Sequence, residues 1–250
     1  MSMRALRQMT EHVDHVHHEA MATLRDELGD AHRSEADPVG VATRRNFVRN
    51  LGLGGAVIAF GTMLVPVAGL LDQAAAQIPK PTATGADVPA ADMALLIFAQ
   101  GLELAAQSAY SAMVATGKLH DQELQSARTF SGHHNQHAAL LASLTPKDRV
   151  PTVANPKILA LFETTIAAAP DSNALIQVAF NIESGAASTY QLAMGLLTNW
   201  QGAAAVATIE PIDAQHAAVW GQTLKLPTDQ WMPAFQTTAA SLSPTTYAAS

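Results

Sequence analysis

Two acids in this chain stand where acids are costly. Glu103 lies in Leu102-Glu-Leu-Ala-Ala, and Glu183 lies in Ala179-Phe-Asn-Ile-Glu-Ser-Gly; each is the single acid inside a long apolar run. An ionised carboxylate on a buried helical face is unfavourable unless it is paired or binds a cation. Two histidines are laid out to match. Gln136-His137-Ala138-Ala139 recurs as Gln215-His216-Ala217-Ala218, with His137 34 residues after Glu103 and His216 33 residues after Glu183. Each glutamate is followed seven residues later by a tyrosine, Tyr110 or Tyr190, which is two helical turns on. A four-point layout repeated in both halves of a chain marks an internal duplication. Three residues before each histidine stand His134 and Asp213, a spacing that puts both side chains on one helical face. With no Cys anywhere, a metal would have to use His, Asp and Glu. The candidate ligands are Glu103, His134, His137, Glu183, Asp213 and His216. His133 and Glu210 stand close by as peripheral substitutes, and the two tyrosines read first as core residues.

Helices must position these groups. Asp92 reads as an N-cap opening a helix that runs to Thr116, where Gly117 stops it. His120–Leu144, Asn173–Thr198 and Ala203–Leu224 are three further helix-forming runs. The first pair and the last pair are joined by a few residues each, short enough for helical hairpins. Thr145–Ser172 differs, with Pro146, Pro151, Pro156 and Pro170 around a short helical stretch Lys157–Ala168; it is long enough to run the length of a bundle. No stretch carries a credible strand pattern. The expected fold class is all-α, a four-helix bundle of two hairpins with one long crossover.

Over about residues 92–224 the chain resembles the ferritin-like superfamily, in its branch of exported bacterial ferritin-like proteins. That family places one Glu on each of two helices and Glu-x-x-His on each of the other two, all facing inward. Glu103 and Glu183 match the single glutamates, and His137 and His216 match the histidines. The two remaining glutamate positions hold His134 and Asp213. The resemblance implies a di-iron carboxylate ancestry and oxygen-dependent chemistry such as iron oxidation or peroxide disposal, with Tyr110 or Tyr190 able to tune the site or relay an electron. The departures leave three carboxylates instead of four and a neutral terminal imidazole at His134, which favours a mononuclear or asymmetric site. Iron is the first expectation for the metal, with manganese or zinc also suited to such ligands.

The first part of the chain is different in kind. Seven of the 14 basic residues precede residue 50, and all seven are arginine. Thr43-Arg44-Arg45-Asn46-Phe47-Val48-Arg49 resembles the twin-arginine export signal, which implies a protein that folds before it crosses the membrane. Leu51–Leu71 then carries no charge for 21 residues, enough to cross a hydrocarbon core about 30 Å thick. Ala74-Ala75-Ala76 fits a small-x-small cleavage site. The expected organisation is a polar, His-rich, solvated extension (1–42), helical from about Arg4 to Leu28; a signal or membrane anchor (43–76); a Pro-rich linker (77–91); the bundle (92–224); and a tail (225–250). His15 and Glu19, four apart in the extension, share a helical face. The expected location is outside the cytoplasmic membrane, free or anchored to it through an uncleaved Leu51–Leu71.

Composition removes other classes. A formal charge of −7 and no basic stripe argue against nucleic-acid binding. No Gly-x-Ser-x-Gly elbow is present, and Gly52-Leu-Gly-Gly sits inside the export segment, where it is no nucleotide loop. Charged residues are 14% of the chain, against about 25% in a typical soluble protein. A weakly charged surface also suits an alternative, a metal-free bundle serving as a homo-oligomer or as an accessory subunit of a membrane assembly.

Overall fold

A computed structural model describes residues 2–33 and 88–248, with side chains for 2–24 and 88–248. The helices among them are α1 (Met3–Arg33), α2 (Ala90–Ala115), α3 (Asp121–Ser143), α4 (Pro156–Ala168), α5 (Ser172–Leu196), α6 (Trp200–Thr223) and the single turn α7 (Thr228–Trp231). No strand occurs among the described residues. The arginine-pair motif, the charge-free run Leu51–Leu71, Ala74-Ala75-Ala76 and all but the end of the linker lie outside them. No helix of the described residues is long and apolar enough to cross a membrane.

Helices α2 and α3 form one hairpin and α5 and α6 the other, with α4 carried in the crossover and packed on α2. The turn out of α2 is made by Gly117 at φ +68°, a left-handed conformation that costs glycine nothing. The second hairpin turns at Leu197–Asn199, where the Asn199 side chain accepts from Gly202 N at 2.9 Å and opens α6. Asp92 is not the cap of its own helix, as its position in the sequence suggests. The helix begins at Ala90 after Pro89, and the buried Asp92 carboxylate accepts from Thr198 N (2.8 Å), Thr198 Oγ1 (3.1 Å) and Asn199 N. It therefore ties the start of α2 to the turn between α5 and α6.

The crossover is pinned at Asn155. Its side chain caps α4 by accepting from Lys157 N (3.1 Å) and Ile158 N (3.2 Å), with Pro156 at the first helical position. Its backbone N donates to Gly101 O at 3.0 Å. Any side chain at residue 101 would meet Asn155 Cβ at 3.2 Å, so glycine lets the crossover lie directly on α2 two residues before Glu103.

Residues 2–24 of the N-terminal extension are not solvated on every face, although their polarity leads one to expect it. Helix α1 buries Leu6, Thr10, Val13, His17, Met21 and Leu24, at steps of three or four residues, and this stripe packs on the bundle. Thr10 Oγ1 lies 2.7 Å from Ser126 Oγ of α3. Each buried Leu or Met of the stripe contributes about 1.5–3 kcal/mol before its ordering entropy is charged against it. His15 and Glu19 lie on the opposite, exposed face, 3.4 Å apart, where an ion pair is weak.

Removing the Asp92 carboxylate strands buried backbone donors at the second hairpin turn. Asp92→Ala is expected to lower the unfolding free energy by about 1–3 kcal/mol in urea titrations. An unchanged midpoint would show that the turn does not depend on it.

Candidate metal centre

All six residues singled out by spacing meet in the bundle interior, and all are 0% exposed. Helix α2 brings Glu103, α3 brings His134 and His137, α5 brings Glu183, and α6 brings Asp213 and His216. The i, i+3 step on α3 and on α6 turns both members of each pair inward. They form two groups whose ligand atoms lie within 4.8 Å of one another: Glu103, His134, His137 and Asp213 in one, His134, Glu183, Asp213 and His216 in the other. His134 and Asp213 belong to both.

The duplicated tyrosines cross between the halves. Tyr110 of α2 donates to Glu183 Oε1 of α5, and Tyr190 of α5 donates to Glu103 Oε1 of α2. Trp220 Nε1 in turn donates to Tyr110 Oη at 2.8 Å. Phe130 stacks on His216 with ring centres 3.9 Å apart, so apolar surface closes the centre on that side. Both tyrosines are fully buried, and burial first, with the neighbouring carboxylates, holds their hydroxyls well above the usual range. They stay protonated and serve as donors.

His134 occupies a middle position, where its terminal role in the sequence pattern gives way to a shared one. Its Nδ1 lies 2.7 Å from Glu103 Oε2 and its Nε2 lies 3.1 Å from Glu183 Oε1. Burial disfavours its charged form, but Glu183 and Glu103 outweigh burial and raise its pKa well above the ordinary value. Burial likewise pushes the Glu103 carboxyl up, and the imidazoles of His137 and His134 bring it down to about 2. Glu183 is lowered in the same way by His134 and His216.

Asp213 is left over. Burial, and then the charge of Glu103, raise its pKa well above the usual carboxylate range, and neither of its oxygens has a hydrogen-bond partner. His137 Nδ1 has none either. Buried polar atoms without partners are rare and call for an explanation. Their spacing supplies one. His137 Nδ1 stands 3.4 Å from Glu103 Oε2 and 3.6 Å from Asp213 Oδ1; His216 Nδ1 stands 3.2 Å from Glu183 Oε2 and 3.8 Å from Asp213 Oδ1. Nitrogen and oxygen ligands about 2.0–2.2 Å from a shared ion lie roughly 3–3.6 Å from one another. The unsatisfied atoms thus have the chemistry and separation of ligands around a cation, and the donor set fits the metal that a ferritin-like bundle implies.

Helix α1 supplies an outer layer that the spacing argument missed. His17 is buried, with Nδ1 3.3 Å from His137 Nε2. His133, peripheral by sequence, is buried with Nδ1 2.9 Å from His216 Nε2 and Nε2 2.8 Å from Asp14 Oδ1. Contacts at the second nitrogen fix the orientation of a histidine ring; here neighbouring imidazoles make them, and His133 passes the line on to the Asp14 carboxylate. Burial and the adjoining imidazoles hold His17 down to about 2 and keep His133 neutral as well. The signal was present in the sequence: the stripe Leu6, Thr10, Val13, His17, Met21, Leu24 has the periodicity of a packed helix, and His17 stands in it.

A helical bundle of two hairpins with an interior histidine–carboxylate centre defines the class. Residues 91–226 match the ferritin-like domain family, and the chain belongs to that family. No curated protein and no solved structure matches it.

The α1 contact carries a pH dependence. A free imidazole takes up a proton near 6.5, whereas His17 and His133 are held neutral while packed. The contact is at full strength above about pH 6.5 and weakens below it, because His17 takes up a proton once α1 leaves the bundle. Hydrogen exchange of residues 3–24 in metal-free protein is expected to accelerate on acidification while α2–α6 stay protected. Equal loss of protection in α1 and the bundle would contradict this.

Proposed function

We propose that the chain is a ferritin-like metalloprotein that holds iron, or in its place manganese or zinc, between Glu103, His134, His137, Glu183, Asp213 and His216. The observation that carries this reading is Asp213, a fully buried carboxylate without a partner and beside two imidazoles. A redox-active metal bound there would supply the one-electron and oxygen chemistry for iron oxidation, peroxide disposal or another oxygen-dependent oxidation. The protein's part is positional. Tyr190 and Tyr110 fix Glu103 and Glu183 by donating to one oxygen of each; the free Oε2 of Glu103 faces His134, while in Glu183 Oε2 faces His216 and Oε1 is shared by Tyr110 and His134. Phe130 and Trp220 keep water from the His216 side.

Asp213 is shorter than glutamate and His134 replaces a bridging carboxylate, so the two groups of ligands need not fill equally. A second reading follows from His134 itself. An imidazolium between Glu103 and Glu183 offsets one of their two charges without an ion, and a bundle held in this way is the metal-free accessory or oligomeric subunit of a membrane assembly.

We further propose that residues 43–76 direct export after folding. A single crossing by Leu51–Leu71 would put α1 and the bundle on opposite sides of the membrane, so the packed α1 belongs to the chain before transport. Cleavage after Ala76 would remove α1 with it.

One preparation from the native host, read for both metal content and N-terminal residue, tests these readings together. A transition metal that is lost in a His137→Ala/His216→Ala variant, with a chain starting near Gln77, is the expected result. An intact N-terminus and no metal in either protein would favour the accessory subunit.

A further inference from the structure

Among the described residues, one more cluster outside the six central residues has ligand chemistry. Asp14 and His18 of α1 and His133 of α3 present ligand atoms within 4.8 Å of one another. His133 Nε2 is 2.8 Å and His18 Nδ1 3.4 Å from Asp14 Oδ1. The side chains of Asp14 and His18 are 44% and 57% exposed and that of His133 is 1% exposed, so the cluster runs from solvent to the edge of the buried centre. His17 stacks on His133 at 4.0 Å, and its buried Nε2 has no partner. The cluster is thus accompanied by an unsatisfied buried nitrogen, the same feature that marks the interior site.

Asp14, His133, His216 and Glu183 form a row with contacts of 2.8, 2.9 and 3.2 Å, which leads from the half-exposed Asp14 to the buried centre.

We propose that Asp14, His18 and His133 form an outer divalent-cation site, of two imidazoles and one carboxylate, that takes an ion from solvent and passes it to the buried centre across the His133–His216 contact. Such a donor set suits Fe(II), Co(II) or Zn(II). The site exists only while α1 is attached, so it serves the chain before any cleavage after Ala76. The hand-over rests on the metal-centre reading above; the outer site itself does not.

Co(II) binding to the full chain, followed by its absorption spectrum and by metal content, tests this. In a Glu103→Gln/Glu183→Gln variant one Co(II) is expected to remain bound and to be lost when Asp14→Asn/His18→Ala is added. In the otherwise unaltered chain, Asp14→Asn/His18→Ala is expected to slow Co(II) uptake without changing the final content of the centre. Because Asp14 and His18 are exposed, this second comparison stands even if the glutamine variant does not fold. No retained ion that depends on Asp14 and His18, together with an unchanged uptake rate, overturns the proposal; an unchanged rate alone overturns the hand-over. If the unaltered chain binds only an ion that depends on Asp14 and His18, the outer site stands and the buried metal centre falls.

Discussion

Three carboxylates enclosed in one apolar interior set the terms for the rest of this molecule. Glu103, Glu183 and Asp213 are all 0% exposed, and charge in such a place must be met by opposite charge or by hydrogen bonds. Two of the three are provided for. Glu103 and Glu183 share His134 between them, and each takes a tyrosine hydroxyl from the opposite half. Asp213 has no such provision and is pushed toward its protonated form. The folded chain thus keeps one acid in reserve, at the point where the two ligand groups overlap. A cation there would satisfy Asp213 and His137 at once.

This constraint reaches outward through the histidines. A ring that turns one nitrogen to the centre must place the other, and here the second nitrogens face His17 and His133. Helix α1, which precedes the residues that match the ferritin-like family, is thereby joined to the centre by these contacts as well as by its apolar stripe. The same join sets a condition on topology. A helix that contacts α3 directly cannot stand across a membrane from it, so under the export proposal the packed α1 belongs to the stage before transport.

Much of the bundle was legible because its cues are local. The helix-forming runs, the proline-marked crossover and the short hairpin turns each depend on a few neighbouring residues, and the helices fall within a few positions of where those cues place them. The six central residues were legible because a duplication repeats their spacing and because acids are scarce in so apolar a domain. What spacing could not convey is reach across the fold. Asp92 looks like a cap on its own helix but ties down a turn 106 residues away. His134 looks like a terminal ligand, yet both of its nitrogens are used, which depends on how α2 and α5 approach one another. His17 and Asp14 were hidden by the polarity of α1, since five histidines among charges read as solvated until the three-and-four spacing of the buried stripe is noticed.

The central claim is that the interior acids are arranged for a cation, and anomalous X-ray scattering from crystals of the full chain soaked in Mn(II) tests it most directly. The account predicts density at the manganese edge between Asp213 and the histidines, with Asp213 and His137 Nδ1 both ligating. An interior without such density, in which His134 still bridges Glu103 and Glu183 and Asp213 remains without a partner, would contradict it.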